Sequence, residues 1–208
     1  MQKTESLRIR ITKQILKSSL IELLKERNIH KITVSAICTH AVVNRTTFYK
    51  YYGSQYELLE AIENDVCKEL GLYLDKCSLA TASKVYTAGS AELVADAIPY
   101  LTQVFQYISE NADICKLLLS RSVDTNFPSR LIASLSHMPQ NTKEYLANTH
   151  GEANAEFVFD FIMSGCFSFV RKWLFSEQRM SPQKAAHLLT VTLSGNTGVL
   201  PNTKLVSA

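Results

Sequence analysis

Residues 33–52 limit the fold of this chain more than any other segment, because they form two short helices with almost no linker between them. Thr33 is a good N-cap for a helix of about 34–40. Asn44 is a good N-cap for a second helix of about 45–52. The residues between the two helices are apolar, so the sequence predicts a tight, buried turn.

A longer helix precedes this pair. Residues 7–27 carry an apolar stripe at helical spacing, formed by Leu16, Leu20, Leu23 and Leu24. A leading helix followed by two short helices and a tight turn is the pattern of a helix-turn-helix with its supporting helix.

The rest of the chain predicts more helices and no strands. Only seven glycines and five prolines occur in 208 residues, which favours long helices over many tight turns. Ser54 and Glu57 form a capping box at the start of a helix of about 55–76, and residues 78–90 predict a loop. Further helices are expected at about 91–109, 112–121, 125–136, 139–148, 152–176 and 182–194.

We therefore predict an all-α fold with an N-terminal three-helix helix-turn-helix head and a larger helical bundle. The predicted domains are a helix-turn-helix domain at 1–54 and a larger helical domain at 55–198, followed by a loose tail at 199–208.

Charge is distributed unevenly along the sequence. Residues 1–52 carry ten lysines and arginines but only three glutamates, whereas the whole chain has a net charge of only +3. This asymmetry favours a polyanionic partner for the first quarter of the chain. A solvated basic helix face would give the same count.

The aromatic residues in the second short helix divide into two groups. Phe48 and Tyr52 are four residues apart and are expected to pack into the core of the head. Arg45, Thr46, Tyr49 and Lys50 are expected to point outward, where they suit bases and phosphates of a major groove. Thr33 and Ser35, at the start of the preceding helix, are candidates for phosphate contacts.

These residues resemble the DNA-binding head of the TetR family of bacterial transcriptional regulators. The family's second-helix pattern is matched by residues 33–37 (TVSAI), and its recognition-helix pattern is matched by residues 43–58 (VNRTTFYKYYGSQYEL). The resemblance implies a phosphate contact at Thr47 and variable base readers at Arg45 and Thr46. The predicted DNA-binding residues are Thr33, Ser35, Asn44, Arg45, Thr46, Thr47, Tyr49, Lys50 and Gln55.

Two positions depart from the family pattern. Val42 occupies the place of the usual turn glycine, and Gln55 that of the usual lysine. A glutamine donates a hydrogen bond but brings no charge, so binding at this contact is expected to depend less on salt.

Residues 157–189 resemble the C-terminal domain of a Firmicute-type subgroup of the family. Such regulators dimerise through their last two helices, so the resemblance implies a homodimer. A helix at the centre of its own domain would explain the same apolar pattern. The predicted dimerisation residues are Phe161, Gly165, Phe169, Trp173, Leu189 and Leu193.

The resemblance implies a repressor that binds a palindromic operator in double-stranded DNA and responds to a small apolar effector, without a cofactor. The alternative is a regulator of the dihydroxyacetone-kinase-operon type, whose signal comes from a partner protein. An enzyme is a third class, but the five histidines are scattered and no catalytic motif is present.

Residues 157–175 form the most apolar segment, and Asp160, Arg171 and Lys172 interrupt it. We predict a helix that is buried on most sides, not a membrane span. The five cysteines include no C-x-x-C pair, which favours a reducing cytoplasm over a disulfide framework or a zinc site.

Overall fold

The computed structural model describes residues 7–82, 90–120, 127, 144, 146–148 and 150–193. These residues contain helices and no β-strand, which confirms the all-α prediction. The helices expected at about 125–136 and 139–148 lie almost wholly outside this part of the chain, as does the tail at 199–208.

The described helices follow the predicted order closely. They are α1 (Leu7–Glu26), a short 3-10 turn (Ile29–Lys31), α2 (Val34–Ala41), α3 (Arg45–Tyr49), α4 (Gln55–Ala82), α5 (Ser90–Glu110), α6 (Ala112–Leu119), α7 (Glu152–Leu174) and α8 (Pro182–Leu193).

Two of these helices differ in length from the prediction. The helix α3 ends at Tyr49, so the following three residues lie outside it. The helix α4 continues to Ala82, into the segment predicted as a loop. Serine, threonine and alanine at the end of α4 are weak loop signals, and alanine is the best helix former.

The described residues form two compact units. The first contains those up to Glu69 together with those between Ala112 and Phe127, and the second contains the remainder. Thus α6 follows α5 along the chain but belongs to the same unit as the head. It contacts α1, and the ammonium group of Lys25 bridges Glu22 (3.0 Å) and Asp113 (3.2 Å). These hydrogen bonds, first to Glu22 and then to Asp113, raise the pKa of Lys25.

The core of the first unit is built from the predicted leucine stripe of α1 and from apolar residues of the helices packed beside it. Both Phe48 and Tyr52 are buried, as their spacing predicts. The other members of this core include Leu16, Leu20, Leu23, Leu24, Ile29, Ile32, Ile37, Leu58, Leu59, Ile62 and Val66.

The second unit is organised around Trp173 near the end of α7. Its indole ring meets Phe105 of α5 edge to face, with 4.9 Å between ring centroids, and its Nε1–H donates to the carbonyl of Met180 over 2.9 Å. The helix α8 packs against α5 and buries Ala185, Ala186 and Leu189. A smaller cluster joins Leu146, Ala155 and Phe159.

Within a single chain, α7 is not buried on most sides, contrary to the prediction. Only Ala155, Phe159, Trp173 and Leu174 are buried along its length. Phe157 and Phe161 are 77% and 79% exposed. The sequence shows that the side chains of α7 are apolar, but it does not show whether they pack within the same chain or against another molecule.

Candidate nucleic-acid interface

Capping side chains fix the starts of the two short helices. The Thr33 hydroxyl accepts a hydrogen bond from the backbone N–H of Ala36 over 3.2 Å. The Asn44 side-chain oxygen accepts one from the N–H of Thr46 over 2.9 Å. Both predicted caps are confirmed, and each satisfies a donor that the helix leaves free. The Thr33 hydroxyl retains its own proton for an outside acceptor.

The turn between α2 and α3 is closed by the backbone at Val42. The turn is tight, as predicted, but it is not buried at its centre, because the Val42 side chain points away from the core and is 90% exposed. This residue adopts the left-handed conformation, with φ 52° and ψ 42°, and it is the single non-glycine residue with positive φ in the described part of the chain. The N–H groups of Val42 and Val43 donate to the carbonyls of Thr39 (3.3 Å) and Cys38 (3.0 Å). This is the double hydrogen bond with which glycine usually ends a helix. The family's glycine position is therefore used in the same way, but by a valine.

Phe48 anchors α3 to the core of the head. It is fully buried, and its ring contacts Tyr49 and Tyr52 at centroid distances of 5.6 and 5.9 Å. With this face fixed, Tyr49 is 57% exposed. The outward residues of α3 and its ends are those expected to contact DNA: Asn44, Arg45, Thr46, Tyr49 and Lys50, with Thr47 half-buried beside them.

An open groove of about 540 Å³ lies between α2 and α3. Ser35 and Thr39 line it from α2, and Asn44 and Arg45 line it from the start of α3. The buried thiol of Cys38 also lines it. Burial raises the pKa of this thiol, and the positive charge of Arg45 lowers it by a smaller amount. Cys38 is therefore a neutral thiol at pH 7, not a nucleophile.

Ser54 and Glu57 cap the start of α4, as predicted, but the Glu57 carboxylate accepts from Gly53, the residue before the N-cap Ser54. The backbone N–H of Glu57 donates to the Ser54 hydroxyl over 3.2 Å, and the N–H of Gly53 donates to the Glu57 carboxylate over 2.7 Å. Gln55 is half-buried at the first position of this helix. The Tyr56 hydroxyl lies 2.9 Å from Nδ1 of His30, which ties the same turn of α4 to the 3-10 turn.

A further cation lies close to the end of α3. Nζ of Lys13 in α1 is 5.6 Å from the ring centroid of Tyr51. A cation at this distance from an aromatic face is attracted to it. This contact keeps a positive charge near the exposed end of the recognition helix.

The structure thus brings Ser35, Asn44 and Arg45 together in one groove, and it leaves Gln55 on a separate helix end. Sequence reasoning missed Thr39 and Val42, which are both exposed in the groove. The sequence did give a signal for Val42, because this residue occupies the position of the family's usual turn glycine. Thr39 gave no signal, because its place depends on the angle between α2 and α3.

Comparison with known protein families agrees with this geometry. The model of "Bacterial regulatory proteins, tetR family" matches residues 18–62, and the model of a "Transcriptional regulator C-terminal region" matches residues 96–195. Together they cover more than half of the chain. The chain belongs to the TetR family of transcriptional regulators. None of the curated protein sequences compared with it matches.

Solved structures share the fold of this TetR-family protein. A TetR transcriptional regulator from Streptococcus agalactiae 2603V has a TM-score of 0.60 and 24% sequence identity, over 89% of this chain and 95% of that one. The fatty acid degradation regulator FadR from Bacillus halodurans has a TM-score of 0.58 and 15% identity, over 93% and 97%. The dihydroxyacetone kinase operon activator DhaS has a TM-score of 0.54 and 17% identity, over 91% and 98%.

The predicted dimerisation residues fall into two groups. Trp173 and Leu189 are buried in the chain's own second unit. Phe169 is half-buried, with its ring 6.0 Å from that of Phe105. The remaining three are exposed: Phe161, Gly165 and Leu193.

By length and composition, α7 alone among the described helices could cross a membrane. A single helix of this kind does not indicate a membrane protein.

Proposed function

We propose that this TetR-family regulator is a repressor that binds a palindromic DNA operator as a homodimer. The observation that carries the proposal is the exposed polar surface of α3, held out from the core by the buried ring of Phe48. The recognition helix is short and capped, and its exposed side chains are a cation, hydroxyls and a phenol.

Each exposed side chain suits a different part of a DNA duplex. The Arg45 guanidinium has the geometry to donate two hydrogen bonds to O6 and N7 of a guanine. The Tyr49 and Thr46 hydroxyls suit base edges or phosphates, and Lys50 supplies charge for a phosphate. The hydroxyls of Thr33 and Ser35, at the N-terminal end of α2, suit the backbone of the neighbouring strand.

The uncovered face of α7 supports the dimer. Phe157 and Phe161 are large aromatic residues that water covers in a single chain, and exposed apolar patches of this kind mark interaction surfaces. Leu188 and Leu193 on α8 are also exposed. A symmetric dimer uses the same patch on both copies, and Gly165 adds no side chain to keep two helices apart.

A small apolar effector would regulate the dimer by binding its DNA-competent and DNA-incompetent states with different affinity. The half-buried aromatic pair Tyr73 and Tyr107, with ring centroids 5.9 Å apart, is a candidate wall of its site in the second unit. The support is the apolar and aromatic lining that ligand sites between helices generally have.

The decisive experiment is selection from a random duplex library with the full chain at about 150 mM salt. A palindromic consensus with half-sites about 10 base pairs apart, centre to centre, is expected from two recognition helices in a two-fold dimer. Recovery of no consensus by a folded dimer would contradict the proposal.

Arg45→Ala and Tyr49→Ala test whether α3 reads the selected operator. Each is expected to weaken binding to the operator by about tenfold or more, the loss typical of a removed direct contact. Arg171→Ala is the matched control, because Arg171 is an exposed arginine of α7 in the other unit. An equal loss in Arg45→Ala and Arg171→Ala would show a general effect of charge and no specific contact at residue 45.

A further inference from the structure

The side chain of Val42 is exposed and its backbone is strained, and neither property stabilises the fold. The side chain is 90% exposed, so it contributes little to the core. Its left-handed backbone is costly for a β-branched residue, whereas glycine would adopt it without strain. Strained residues of this kind cluster at ligand clamps and other functional sites. An external contact would account for both properties.

The surroundings of Val42 indicate what it would contact. It lines the groove between α2 and α3 together with Ser35, Thr39 and Arg45, which supply hydroxyls and a cation. Val42 adds an exposed aliphatic group to this polar surface. The major groove of DNA offers a partner for both the cation and the aliphatic group. Guanine has two hydrogen-bond acceptors for arginine, and thymine has a C5-methyl group that contacts an apolar side chain.

We propose that Val42 is a specificity-determining residue that reads the C5-methyl group of an operator thymine. The thymine lies next to the base that Arg45 contacts, since both residues line one groove. This inference rests on the proposed DNA binding and deepens it: the turn of the motif reads sequence in addition to α3. The left-handed backbone fixes where the isopropyl group of Val42 stands relative to the start of α3.

Replacement of single thymines in the selected operator by deoxyuridine tests this directly, because only the C5-methyl group is removed. The wild-type protein is expected to lose about fourfold in affinity at one thymine in each half-site, the factor for one buried methyl group. Val42→Ala is expected to bind the thymine and uracil operators equally at that position. It is expected to keep its discrimination at the guanine that depends on Arg45.

A second variant separates the contact from the strain. Val42→Gly removes both the methyl groups and the strained conformation, so it is expected to melt about 2–4 °C higher than the wild type and to lose the same thymine preference. Val42→Ala keeps a Cβ atom in the left-handed conformation, so its melting temperature is expected to rise by less than that of Val42→Gly. Thr39→Ser removes a different exposed methyl group of the groove and is expected to retain the preference.

Two results would overturn the inference and leave the proposed function standing. One is thymine preference that survives in Val42→Ala or disappears in Thr39→Ser. The other is a consensus with no invariant thymine beside the base read by Arg45. By contrast, a wild-type protein that selects no sequence at all would overturn the proposed function itself.

Discussion

Gln55 is the residue at which the head departs from its family in charge. It starts α4 beside the capping hydrogen bonds of Ser54 and Glu57, so the helix begins correctly without the usual lysine. What is missing is a positive charge at a position where the family contacts phosphate. The loss is electrostatic, because the local fold is intact.

Gln55→Lys is therefore expected to restore one phosphate contact. The plot of log affinity against log salt should steepen by about 0.9, the slope contributed by each neutralised phosphate. Gln183→Lys is the matched control, since it adds the same charge at an exposed position of α8. Fluorescence anisotropy titrations between about 50 and 200 mM salt measure both slopes. An equal change in the two variants would show a general charge effect and no contact at residue 55.

The sequence predicts residue-scale features well where they depend on near neighbours. The caps at Thr33, Asn44 and Ser54 are confirmed, because each bonds a backbone group two or three residues away. The groove position of Thr39 was missed, because it requires the angle at which two helices meet. A hydrogen bond between near neighbours can be predicted from adjacent residues. A surface formed by two helices also depends on how the helices are oriented, which the sequence does not show directly.

The order of the helices could be predicted from the sequence, but the compact unit to which each helix belongs could not. Apolar spacing and capping residues predicted every helix from α1 to α8, but nothing in residues 112–119 shows that α6 belongs with the head. The burial of Cys115, Leu118 and Leu119 on one face of α6 results from packing between distant parts of the chain. Sequence periodicity predicts that a helix has such an apolar face, but it does not predict which other helix packs against that face.

Leu118→Ala tests whether α6 is part of the core of the head. Leu118 is 1% exposed, so the truncation should leave a cavity and lower the free energy of unfolding by about 2–5 kcal/mol. Lys116→Ala, two residues earlier on the exposed side of α6, is expected to change it by less than about 0.5 kcal/mol. Urea unfolding followed by circular dichroism gives both values. A loss below about 1 kcal/mol for Leu118→Ala would show that α6 is dispensable to this core.

For the whole molecule, the central question is what covers α7. The sequence predicted an apolar helix with either its own domain or a second chain around it, and the structure places much of that apolar surface in water. Phe161→Glu puts a charge at the centre of this surface without disturbing the chain's own core. In the proposed dimer the charge would be buried without a partner, which costs several kcal/mol.

Phe161→Glu is therefore expected to be a folded monomer, as measured by analytical ultracentrifugation. Leu72→Glu is the matched control, because it adds an acid at an exposed apolar position of α4 and should remain dimeric. If Phe161→Glu remained a dimer, the exposed face of α7 would not be the dimer interface and would be available to a different protein. The alternative in which a partner protein supplies the signal would then gain support.

The same variant separates assembly from DNA contact. Its head is unchanged, so a Phe161→Glu monomer should keep its affinity for a single half-site. It should lose about 10²- to 10⁴-fold on the full palindrome, because linking two binding modules supplies that factor by raising their effective concentration. Arg45→Ala is expected to do the reverse, remaining dimeric while losing affinity for both DNAs. If Phe161→Glu became monomeric and still bound the full operator as tightly as the wild type, each head would act alone and the operator would not need to be palindromic.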